Sequence, residues 1–208
     1  MNISIALKSL MGTAALTLPL VASAASNFTS GAGTLNATAS VNFTVVIPHF
    51  LYLRVGTGSA YATGTLATAG ATDLITFSPA VGAVGNGTAV AGVGGDLAGG
   101  VETAAIIGNG GNVTLVAAAT GALSDGAGDS ISFTQITTAA AANAEATLLA
   151  APPLNDTTSS ETVTAVNKVV KADAKWTFSY ANTVTPAAGT YGGSGANNGI
   201  VTYTATML

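Results

Sequence analysis

His49 is the only histidine among 208 residues, there is no cysteine, and nine acidic residues are spread thinly along the chain. These are the side chains that do most of the chemistry in proteins, so their scarcity narrows the possible activities. A nucleophilic triad needs a base. His49 follows Pro48 at a bend between two strand-like runs and reads as a structural or exposed histidine. One histidine and no thiol exclude multi-histidine and thiolate metal centres. Glycoside hydrolysis needs two carboxyls in one cleft, and no spacing of the Asp and Glu residues favours a pair. DGAGD at 125–129 offers oxygen ligands but lacks the bidentate glutamate that closes an EF-hand. GVGGDLAGG at 92–100 occurs once, and both stretches read as turns. GNGGN at 108–112 precedes neither Lys-Ser/Thr nor a helix, so it is not a phosphate loop. The expectation is a protein that is not an enzyme and uses no metal or cofactor.

The charge balance excludes another class. Lys8, Arg54, Lys168, Lys171 and Lys175 are all the basic residues present, and the formal net charge is −4. No basic patch can form to neutralise phosphates, so nucleic acid is not an expected partner. Charged residues make up 7% of the chain and hydrophobic ones 49%, against ~25% charged in ordinary soluble domains. Beyond residue 24, Thr, Asn, Ser or Gly interrupts every apolar run before it reaches the ~18 residues a membrane helix needs. The mature chain is therefore expected not to span a membrane. A composition rich in Ala, Thr, Gly and Val suits pleated surfaces joined by glycine turns.

The elements that would position any site begin with an export signal. Lys8, the short apolar core from Leu10 to Val21, and Ala22-Ser23-Ala24 match a secretory peptide over residues 1–24. Secretion to the cell surface or beyond is the expected destination. After a small, polar lead-in at 25–34 comes Leu35 to Ile47, LNATASVNFTVVI. Leu35, Ala37, Ala39, Val41, Phe43, Val45 and Ile47 alternate with polar residues, and only Val46 breaks the pattern. That is the period of a β-strand with one buried and one wet face. It is uncharged, and it could pair with its own domain or with a neighbour.

Pro48 ends that run, and Phe50 to Val55 resumes as a strand. Residues 56–73 read as a loop or weak edge strand, 74–77 as a short strand, and 81–100 as glycine turns between short strands. Val101 to Ile107 and Val113 to Ala118 flank GNGGN as a hairpin. Further strands are expected at 131–136, 162–170, 175–180 and 200–207. Residues 139–150, rich in alanine, suit either one helical turn or a loop. Trp176, Phe178 and Tyr180 share a face and are expected in the core. Eight to ten short strands without a fixed repeat point to one all-β domain over 48–208, an antiparallel β-sandwich.

The signal peptide, the long alternating segment and the closing pattern Trp176-x-Phe178-x-Tyr180, Pro186-Ala-Ala-Gly189-Thr-Tyr191, Val201-Thr-Tyr203-Thr-Ala205-Thr together resemble bacterial fimbrial subunits. The C-terminal part is similar to spore-coat-U-type and related pilin-like proteins with an immunoglobulin-like β-sandwich. The resemblance implies that a neighbour's N-terminal segment completes each subunit, by donor-strand complementation. It implies a donor segment within residues 25–47, with Leu35, Val41, Phe43, Val45 and Ile47 at the interface. The acceptor groove would lie near Val201 and Tyr203. It also implies a periplasmic chaperone or outer-membrane assembly machinery as partners.

Two functions follow as expectations. One is a structural subunit of an extracellular filament or surface layer, a homopolymer built by strand sharing. The other is a monomeric secreted binding module, an adhesin or carbohydrate binder with Tyr52, Tyr61 and Tyr191 as a possible aromatic platform.

Overall fold

Alternation over 170–180, VKADAKWTFSY, sets Val170, Ala172, Ala174, Trp176, Phe178 and Tyr180 on one side of an extended chain. In the computed structural model all six are buried, and the stretch is one continuous eleven-residue strand. The structure describes residues 26–56, 72–193 and 195–207. The signal-peptide reading of 1–24, most of the loop or edge strand at 56–73, and Tyr61 lie outside the described residues.

The described chain is all-β. Its strands are β1 (Leu51–Val55), β2 (Ile75–Thr76), β3 (Val90–Ala91), β4 (Val93–Gly94), β5 (Val101–Gly108), β6 (Val113–Ala118) and β7 (Leu123–Ser124). They continue with β8 (Ser130–Ile131), β9 (Ile136–Ala141), β10 (Thr147–Leu148), β11 (Thr158–Val163), β12 (Val170–Tyr180) and β13 (Thr202–Met207). Two compact units divide the chain, residues 1–47 and 48–208.

In the second unit β12 is the hub. It pairs antiparallel with β5, β9 and β3, and parallel with β10, while β1 extends the sheet beyond β5. The β10 pairing is a departure from the purely antiparallel expectation. A three-stranded antiparallel sheet runs β11-β6-β13, and two short pairs, β2-β4 and β7-β8, complete the unit. Both larger sheets feed one hydrophobic cluster. Ala104, Ile106, Ala172, Ala174, Trp176 and Phe178 come from the first, and Val113, Leu115 and Val163 from the second. Leu51, Leu53 and Val55 on β1 and Tyr203, Ala205 and Met207 on β13 pack against it.

The structure departs from the expected hairpin and from two expected strands, and it decides between the two readings of residues 139–150. The GNGGN stretch does not close a hairpin, because β5 and β6 belong to different sheets. Its polar groups are engaged elsewhere. Asn109 binds Pro48 and Phe50, the Gly111 N–H donates to the Lys168 carbonyl, and the Ala165 N–H donates to Asn112 Oδ1. Long-range bonds thus hold this stretch, and the two strands go to different sheets.

The alanine-rich stretch 139–150 holds no helical turn. Residues 139–141 finish β9, and the chain then folds over Asp173. The Asp173 carboxylate is fully buried and accepts from Asn143 Nδ2 (2.8 Å) and from the Glu145 and Ala144 N–H groups (2.9 and 3.1 Å). Those amides are engaged by a carboxylate rather than by helix carbonyls, and a Lys171–Glu145 ion pair at 2.9 Å lies beside them.

The expected strands 131–136 and 162–170 are both broken. Ser132 caps a short 3-10 turn at Phe133–Gln135, accepting at Oγ from the Thr134 N–H. Val166 and Val169 exchange two hydrogen bonds at 2.9 Å around Asn167 and Lys168, whose φ values are 52° and 65°. Two left-handed residues in sequence reverse the chain tightly, so β11 and β12 part company there.

The glycine stretch 81–100 does carry turns between short strands. Gly92 and Gly100 meet backbone to backbone, and a Cβ on Gly100 would lie 2.7 Å from the Gly92 Cα. A side chain at either position would push the β3–β4 segment and residue 100 apart.

Candidate assembly surface

The first unit contains the alternating segment. Residues 34–47 carry the strand period but pair with no strand, and every one is exposed. Phe43 is 89% exposed and Val45 83%, with Val41 and Ile47 close behind and Leu35 near half. Thus the expected strand is absent from the single chain. The physical reason is that an extended segment of Asn, Thr and small apolar residues has no stable backbone pairing without a partner edge. Thr29 Oγ1 donates to the Asn36 carbonyl at 3.1 Å, a local bond from the lead-in to the start of the alternating segment.

The second unit begins at Pro48, and its first residues are held by one side chain. Asn109 Nδ2 donates to the Pro48 carbonyl at 2.7 Å, and Asn109 Oδ1 accepts from the Phe50 N–H at 2.9 Å. The Asn109 N–H also donates to the Phe50 carbonyl at 3.3 Å. A side-chain amide with one donor and one acceptor reproduces the pairing of a strand neighbour. His49, which is exposed, sits over the bare Cα of Gly110.

At the other end of the chain, β13 pairs with β6 on one side, Tyr203 facing Ala117 and Met207 facing Val113. Along β13, Thr202, Thr204 and Thr206 are exposed while Tyr203, Ala205 and Met207 are half-buried. The strand carries neither charge nor proline, the usual guards of a free edge. It runs alongside β1, the outer strand of the larger sheet. Val201, half-buried, lies just before β13. The Tyr203 ring packs on Trp176 at 5.3 Å between centroids. Burial pushes the Tyr203 phenol above its ordinary range.

The predicted interface residues therefore fall into two groups. Leu35, Val41, Phe43, Val45 and Ile47 lie in the first unit, while Val201 and Tyr203 lie at the edge strand of the second. Tyr52 lies on β1 opposite Ile107. Tyr191 lies beside the 125–129 turn, its hydroxyl donating to the Ala187 carbonyl at 2.8 Å.

The two acidic turns have their own internal partners. Asp125 Oδ1 accepts from the Ala127, Gly128 and Asp129 N–H groups at 2.8, 3.1 and 3.0 Å. These amides hold the Asp125 carboxyl below its ordinary range. Asp96 accepts from the Thr103 N–H at 2.9 Å and from the Thr103 hydroxyl. Among the described residues no group of three His, Asp or Glu side chains is arranged to hold a metal ion.

Sequence reasoning missed one polar cluster. Glu102, 5% exposed, sits opposite Trp176 in the β5–β12 register and lies against Asp73. The signal was present in V-E-T-A-A-I-I, where period two puts Glu102 on the same face as Ala104 and Ile106.

No family model, curated protein or solved structure matches this chain.

Proposed function

We propose that the protein is a structural subunit of an extracellular filament or surface layer that assembles by sharing strands between copies. The observation that carries this reading is the exposed alternating segment 35–47, apolar on one side and uncharged throughout. A soluble monomer gains nothing from leaving Val41, Phe43, Val45 and Ile47 in water, whereas a neighbour's sheet edge would bury them. The unguarded edge of β13 supports the acceptor role near Val201 and Tyr203. On this reading residues 48–208 form an immunoglobulin-like, pilin-like β-sandwich, reached by export through the 1–24 signal. A chaperone would cover the segment before assembly.

The test is electrophoresis of the mature secreted protein in SDS, with and without boiling. A ladder that collapses only on heating supports shared strands, and deletion of residues 25–47 should abolish it. A monomer band in both lanes overturns the proposal, as does filament formation by the deleted form.

A further inference from the structure

Three segments of the second unit converge at Gly56. A Cβ built on that residue would lie 2.6 Å from both Asp73 Oδ2 and Glu102 Oε2, so the two carboxyls reach the same bare Cα. Gly56 has φ +71° and its N–H donates to the Thr103 carbonyl at 2.8 Å, which fixes the end of β1 against β5. Asp73 leads into β2, and Glu102 belongs to β5. The two carboxyls therefore crowd one point and are close enough to interact directly, by charge and by hydrogen bonding. An ionised carboxylate can only accept, so a carboxyl–carboxyl hydrogen bond requires a proton on one of them.

The surroundings favour keeping that proton. Glu102 is buried and sits opposite Trp176 on β12. Among the described residues the charged and titratable groups facing it include Asp73, itself exposed, Asp96 in the β4–β5 turn, and the Tyr203 phenol from β13. Asp96 donates its N–H to Glu102 Oε2 at 3.3 Å, and that contact favours the charged form. Arg54 donates to the Thr103 hydroxyl at 2.7 Å, and that hydroxyl donates to Asp96. Lys175, opposite Thr103, is exposed.

We propose that Glu102 keeps its proton beside Asp73, and that the two side chains form an acid-strengthened latch tying the segment before β2 to β5 beneath the end of β1. When the proton leaves, two carboxylates oppose each other with Asp96 beside them, and the latch opens. Burial is the main cause that pushes the Glu102 carboxyl up to about 7 from 4.5. A raised carboxyl stabilises the fold fully below its unfolded value and loses that contribution as the pH climbs through about 7. The protein is thus built to hold together better in mildly acidic surroundings than in alkaline ones. This inference is independent of strand sharing.

The test is thermal unfolding of the full mature chain at pH 5, 6, 7 and 8, for the wild type, Glu102→Gln and Asp73→Asn. The wild-type Tm should fall by roughly 3–7 °C from pH 5 to pH 8. Glu102→Gln, which is neutral at every pH, should remove most of that fall and match or exceed the wild type at pH 8. An equal fall in both proteins overturns the latch. Carbon-13 NMR titration of the Glu102 carboxyl in the wild type decides the matter if the variants do not fold. A midpoint near neutral supports the latch, and one near 4.5 overturns it.

Discussion

Trp176 on β12 and Tyr203 on β13 pack ring against ring, 5.3 Å between centroids and tilted by 45°, joining the larger sheet to the smaller. Trp176 is fully buried, and its Nε1 donates to the Leu149 carbonyl at 2.8 Å. One side chain thus packs with the edge strand and holds the segment after β10. Trp176→Ala should destabilise the fold by about 3–5 kcal/mol, read as a shift of the urea unfolding midpoint. Trp176→Phe should cost less but still lose the Leu149 bond. A shift under about 1 kcal/mol for Trp176→Ala would mean that the two sheets are not joined through this ring.

Asn182 is the second buried anchor. It is fully buried at φ 56°, accepts from the Gly85 N–H at 2.9 Å and donates to the Ala83 carbonyl at 2.7 Å and the Thr88 carbonyl at 3.2 Å. Asn182→Ala strands those groups and keeps a side chain in the left-handed region. The expected loss is about 2–4 kcal/mol in denaturant unfolding. Asn182→Asp should be no milder, since it removes both amide donor hydrogens and adds a buried charge.

Asn109 defines where the second unit starts. Asn109→Ala removes the bonds to the Pro48 carbonyl and the Phe50 N–H while leaving its own backbone bond intact. Global stability should drop by only about 1 kcal/mol. The Phe50 amide should exchange hydrogen much faster than in the wild type, while amides in β5 and β12 stay protected. Unchanged exchange at Phe50 would show that the side chain does not hold this residue.

Phe43→Asp separates assembly from folding. Phe43 is 89% exposed, so the substitution should leave monomer stability within about 0.5 kcal/mol of the wild type. In a shared-strand polymer the same change places a charge in a dry groove, and the heat-sensitive SDS ladder should disappear. A ladder that survives Phe43→Asp would remove this side chain from the interface.

What the sequence determined by itself was the all-β class and the faces of its clearest strands. Lys175 to Tyr180 and Val113 to Ala118 were legible because alternation is a local property, set by the two-residue repeat of an extended chain. The near absence of histidine and cysteine was equally plain. Tertiary structure decided which strands pair. GNGGN carries the residues of a hairpin turn, yet Asn109 and Asn112 bond to segments 53 to 61 residues away, and β5 and β6 went to different sheets. The alanine run could not declare itself, because its fate depended on Asp173, a carboxylate 28 to 30 residues further on. The Asp73–Glu102 pair was hidden for the same reason. Its two carboxyls meet only once β1, β2 and β5 are in place, since the approach of distant side chains has no local sequence period to betray it.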